Sequence, residues 1–159
     1  MKTYFLLLLL AASVAMLDSC KTTEVNCIKP GNKDQIIRWG EQSAKSGSII
    51  GYQINTNMVI SRIKKEQADT VYITHEIGQI DPLKYCDLVD MIKHEVLKSQ
   101  AVNAPGEKNK FIEYANPAKN VTVFARWNVL FNTVGTKGFR EIYDSLMNVV
   151  SLDVLPVKK

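Results

Sequence analysis

Histidine is nearly missing from this chain: His75 and His94 are the only two in 159 residues. Zinc centres draw on closely spaced His and Cys pairs, and His94-Glu95 is not followed by the second histidine of a zinc-protease motif. The three cysteines, Cys20, Cys27 and Cys86, are spread too widely to supply such pairs. No Gly-x-Ser-x-Gly elbow occurs, so an esterase-type nucleophile has no frame. No glycine-rich loop is present to cradle a phosphate. Basic residues are scattered: Lys64-Lys65 and Lys158-Lys159 are the only adjacent pairs in a chain of net charge +4. That is too thin for a nucleic-acid footprint, which clusters on one face with stacking aromatics. The longest apolar run falls short of the roughly 20 residues that a membrane-spanning helix needs.

What is there begins with that run. Lys2 supplies a positive start, Phe5 through Leu10 are unbroken apolar residues, Ala11, Ala12, Val14 and Ala15 extend them, and Asp18 ends the stretch. A positive start, an apolar middle and a small-residue cleavage site make a secretory leader. A buried N-terminal helix would show an amphipathic period, and none is present. Two cleavage sites compete: before Cys20, or after Ala15 with Ser13 and Ala15 as the small residues.

Leu17-Asp18-Ser19-Cys20 resembles the lipobox of bacterial lipoproteins. Leu17, Ser19 and Cys20 fit that pattern, and Asp18 departs from it. The resemblance implies cleavage just before Cys20 and a lipid on its sulfur. Lys21 follows, where an aspartate would signal inner-membrane retention, and no acidic run suggests surface export. The expected location is therefore the periplasmic face of the outer membrane. With Cys20 lipidated, Cys27 and Cys86 remain as an even pair, free to bond in an oxidising compartment. Loss of Lys2 and Asp18 with the leader cancels, leaving the net charge at +4.

The expected organisation is a signal peptide over residues 1–19, a lipid-anchored tether over 20–33, and one domain over 34–155. Lys29-Pro30-Gly31-Asn32 is a turn signal inside the tether. Residues 36–39 are apolar and end at Gly40, a strand or a turn of helix, and 41–47 is a polar loop. Strands are expected over 48–54 and 58–63, joined by Asn55-Thr56-Asn57. Residues 70–77 alternate, with Val71, Ile73, His75 and Ile77 on the apolar side. Asp81-Pro82 then opens a helix as N-cap and first residue. Tyr85, Leu88, Val89, Ile92 and Val96 give it one apolar face to about Ser99. A loop over 100–109 precedes a hairpin of 110–114 and 121–127, and a second amphipathic helix covers 138–150 with Phe139, Ile142, Tyr143 and Leu146 on one side.

This order predicts an α+β fold: an antiparallel sheet, meander plus hairpin, with two amphipathic helices on one face. The other face, bearing Thr, Arg and Glu, is expected to meet solvent. Over residues 49–150 the layout resembles the emfourin-like protease inhibitors and several small lipoprotein domains. The likeness is of element order, and it transfers no functional residue.

Candidate chemistry is sparse. His75 reads as a structural strand histidine, and His94 as a helix-surface residue four positions from Asp90. Asp87 and Asp90 lie three apart on the solvated side of that helix, and paired carboxylates do acid–base work only where one of them is buried. Trp39, Trp127 and Tyr114 suit core packing, with an exposed aromatic patch as the alternative. No catalytic, metal or cofactor residue emerges. The function expected is a non-enzymatic envelope lipoprotein, held to the membrane through Cys20, that binds another envelope protein or a wall component. An inhibitor of a secreted protease and a small periplasmic hydrolase built on His75 or His94 are the alternatives.

Overall fold

The computed structural model describes residues 27–98 and 103–153. The leader and Cys20 lie outside the described residues. The fold class is α+β: among the described residues, seven strands form one mostly antiparallel sheet, accompanied by two helices. Strands β1 (Ile36–Ser43), β2 (Ile49–Asn55), β3 (Val59–Lys65) and β4 (Ile73–Gln79) form a meander. Helix α1 (Pro82–Lys98), β5 (Asn103–Ala104), β6 (Lys108–Asn116), β7 (Val121–Asn128) and α2 (Lys137–Asn148) follow. The spatial order is β4-β3-β2-β1-β6-β7-β5, and the two-residue β5 runs parallel to β7.

Meander and hairpin are fused by pairing of β1 with β6, which makes β1 the central strand. Sequence spacing ends this strand at Gly40; the structure carries it to Ser43. The reason is Gly51, which faces Gly40 across the ladder. A Cβ on Gly51 would stand 2.1 Å from the Trp39 carbonyl oxygen, and one on Gly40 would stand 2.3 Å from that of Ile50. Only a pair of glycines allows the two backbones so close. Phe111 and Ile63 lie in register on either side of the pair and are buried. Large side chains beside bare backbone restore the packing that glycine forfeits.

Strand alternation places Ile37, Trp39, Ile54, Ile60, Ile112, Tyr114, Ala125 and Trp127 on one face. They share one buried cluster with Tyr85, Leu88, Val89 and Ile92 of α1 and with Phe139, Ile142, Tyr143 and Leu146 of α2. The start of α1 is as the sequence indicates: Asp81 Oδ1 accepts the Leu83 N–H at 2.8 Å. After Asn148, the last helix passes into a π-helical turn over Val149–Asp153.

The opposite face differs from the expected solvated surface. Arg38 Nη1 lies 2.7 Å from Glu113 Oε1, with both side chains mostly buried. Next to them Ile49, Ile63 and Phe111 form a second buried cluster, with Tyr72 and Phe124 packed against it. Tyr72 sits between two cations, 4.8 Å from the Arg38 guanidinium carbon and 5.4 Å from Lys65 Nζ. The β3–β4 connection thus folds its tyrosine over the sheet.

Strand β4 is a second correction. It begins at Ile73, and Val71 and Ile73, expected in the core, are exposed. The register shifts between Ile60 and Ser61, and of the apolar residues expected on that side only Ile77 packs against the main cluster. β4 is an edge strand of the sheet.

The chain from Cys27 to Lys33, expected as tether, is docked on the domain. Cys27 and Cys86 form a disulfide, S–S 2.04 Å, which ties this segment to α1. Asn32 is buried and donates to the Cys27 carbonyl at 2.6 Å, while Asn116 Nδ2 donates to the Gly31 carbonyl at 3.2 Å. A buried polar chain continues inward. Gln35 Nε2 donates to Tyr85 Oη at 2.7 Å, and Tyr114 Oη donates to Gln35 Oε1 at 3.2 Å. Burial raises the Tyr85 phenol above its ordinary pKa, partly offset by the Gln35 bond, so Tyr85 serves as a neutral hydrogen-bonding group.

Candidate functional site

The N-terminal segment and the polar chain occupy one end of the sheet. The other end holds the β1–β2 loop, the start of β6 and the turn after β7. Here the helices leave part of the inner sheet face open, and a groove of about 350 Å³ lies between α2 and strands β1–β3. Its apolar lining is Ile50 and Tyr52 from β2 and Tyr143 and Met147 from α2. Ile50 is 62% exposed, unusual for a large apolar residue in the interior rows of a sheet. The Gly40–Gly51 pair supplies bare backbone, and Ser43 and Ser48 supply hydroxyls at the loop end.

Charge frames this floor. Arg62 of β3 and Lys108 of β6 line it from opposite sides, and both are exposed. Among the described residues, the side-chain ion pairs Arg38–Glu113, Lys64–Glu66 and Lys137–Glu141 involve neither of them. Glu41 also lines the groove and stands in register with Lys110 across the β1–β6 ladder. Lys110 Nζ lies 4.3 Å from the centre of the Tyr143 ring, while Trp127 meets that ring edge-on at 6.0 Å. Burial, reinforced by Glu41, Asp144 and Tyr52, pushes the Tyr143 phenol up to about 12. It is therefore neutral at any physiological pH and can donate a hydrogen bond, but it cannot serve as a base.

Beside the groove stands an apolar tip. The turn after β7 exposes Leu130 at 83%, Phe131 at 52% and Val134 at 94%. The turn is well formed: Asn128 accepts the Leu130 N–H through Oδ1 at 3.0 Å and the Phe131 N–H through its carbonyl at 3.1 Å. The Val129 N–H donates to the carbonyl of Lys108, a groove residue, at 3.1 Å. Tip and groove are thus joined through the backbone.

The residues singled out from sequence lie elsewhere. His75 is exposed on β4, in register with Arg62, and His94 is exposed on α1. Neither lines the groove. Asp87 and Asp90 are exposed on α1, and Trp39, Trp127 and Tyr114 are all core residues, so they form no exposed aromatic patch. Among the described residues no group of three or more His, Cys, Asp or Glu is placed to hold a metal ion, and no helix is long and apolar enough to cross a membrane. Sequence reasoning missed the groove because Ile50 and Tyr52 read as ordinary alternating strand residues. Only the packing of α2 decides which inward positions stay uncovered. No protein-family model and no curated protein sequence matches this chain.

Proposed function

We propose that this chain is an exported, lipid-anchored envelope protein whose folded domain is a non-enzymatic binding module, with the two helices forming one layer over one sheet face. The observation that carries this reading is the groove: an apolar floor at the end of the domain away from Cys27, flanked by Arg62 and Lys108. Concave apolar surface with a few polar groups is the common form of a binding site. Export is supported by the apolar leader ending in Leu17-Asp18-Ser19-Cys20 and by the Cys27–Cys86 bridge, a bond that persists in oxidising compartments. A hydrolase would need a histidine beside a nucleophile in a cleft, and the groove lining contains no histidine.

The anchor is tested by changing Cys20 to Ala. Wild-type protein should fractionate with membranes and take up a fatty-acid probe, and the variant should be released and unlabelled. A wild-type protein that begins at Met16 and carries no lipid would refute the anchor. The binding role is tested by placing a photocrosslinking residue at Ile50 in intact cells. A discrete crosslinked neighbour is expected, and its absence at Ile50 would count against the groove as a binding site.

A further inference from the structure

We infer that the groove and the apolar tip at residues 129–134 form one docking surface for a partner polypeptide that presents an apolar side chain between carboxylates. The inference rests on the binding role proposed above and names the partner's chemistry. Size supports a polypeptide. The groove, about 350 Å³, lies at the lower end of the 300–1,000 Å³ or so typical of small-molecule sites. Exposed apolar side chains are not confined to the groove: Ile50 opens outward, and Leu130, Phe131 and Val134 stand exposed on the turn whose Val129 N–H bonds to Lys108. A small ligand could not cover both. A patch of this kind marks a protein contact, with apolar anchors at the centre and charge at the rim.

Charge decides which polypeptide. Arg62 and Lys108 stand on β3 and β6, three strand spacings apart across β2 and β1 and four residues apart along the strands, or roughly 20 Å. That span fits acidic residues on both sides of a buried apolar one. Glu41 is the single acidic side chain in the lining, set against these two cations, and it stands in register with Lys110 across the ladder. A second copy of the chain fits poorly, because each carries a net charge of +4. A lipid surface fits poorly as well: the two cations flank a recess that a flat bilayer cannot enter.

The test uses full-length protein in detergent and a fluorescent peptide, Glu-Glu-Leu-Phe-Glu-Glu, read by anisotropy. Its counterpart with Lys for Glu, laurate, and phosphatidylglycerol vesicles are measured beside it. The acidic peptide should bind saturably and lose affinity as salt rises. Arg62→Gln and Lys108→Gln should each weaken it about tenfold, Ile50→Ser should abolish it, and Lys33→Gln, at the far end, should change nothing. Thermal melts equal to wild type would show that the groove variants remain folded. Equal binding of the lysine peptide, or no effect of Arg62→Gln, overturns the assignment. So does displacement of the bound peptide by laurate or by the vesicles, a readout that insertion through a lipid on Cys20 would not move. If the acidic peptide fails while Ile50 still crosslinks to a neighbour in cells, the partner class is wrong and the binding role stands. If both fail, the binding role falls too.

Discussion

At the scale of single residues, the fold depends most sharply on Gly51. Its missing side chain lets β2 approach the Trp39 carbonyl, and no rotamer adjustment can move a Cβ that would lie 2.1 Å from a backbone oxygen. Gly51→Ala must therefore push β2 away from β1, at the junction that unites meander and hairpin. A melting temperature at least several degrees lower than wild type is expected, with a loss above about 3 kcal/mol in denaturant titration, the range of severe core disruption. Unchanged stability would mean the two strands can separate locally without cost. Gly40 and Gly51 also illustrate what single-sequence reading misses. Gly40 looks like a stop and Gly51 lies inside the expected strand 48–54, and only their pairing across the ladder carries β1 on through Gly40.

At the scale of elements, the helices were legible and the strand edges were not. Asp81-Pro82 and the spacing of Tyr85, Leu88, Val89 and Ile92 define α1 because capping and a 3.6-residue period are local signals. Burial follows that stripe: Ile92 is fully buried, whereas Leu83, in the first turn of the same helix, is 60% exposed. Ile92→Ala should cost about 2–5 kcal/mol, the lost transfer energy plus a cavity. Leu83→Ala should cost less than about 0.5 kcal/mol. Equal melting shifts for the two would place the wrong face of α1 against the sheet. For β4, alternation was present in the sequence, but around the start of this edge strand Val71 and Ile73 meet no core, and only Ile77 reaches the main cluster. Likewise the groove depends on how far α2 reaches across the sheet, a tertiary matter that no local pattern carries. The second cluster under Tyr72 was hidden for the same reason, since its members come from separate strands and a connection.

At the scale of the whole molecule, the N-terminal segment is stapled to the domain at one end and the groove opens at the other. The Cys27–Cys86 bridge spans 59 residues of sequence, including the entire meander. By loop-closure entropy, a cross-link over such a span stabilises by about 4 kcal/mol. Replacing both cysteines with Ala should lower stability by an amount of that order, with reductant reproducing the effect on the native protein. If neither moves the melting curve, the unfolded chain is already constrained in this region.

The placement of that staple has a mechanical consequence. Suppose the chain is held from its N-terminal side while something seated in the groove pulls the other way. The tension then enters at Cys27 and leaves near the β1–β2 loop, so it runs along the length of β1. Because β1 is hydrogen-bonded to β2 on one side and β6 on the other, its rungs are loaded in shear and share the force. A strand pulled sideways from an edge would instead unzip one rung at a time. The bridge to α1 adds a covalent path around the first turn of the domain, so the fold is arranged to resist being drawn out from the end at which it is held.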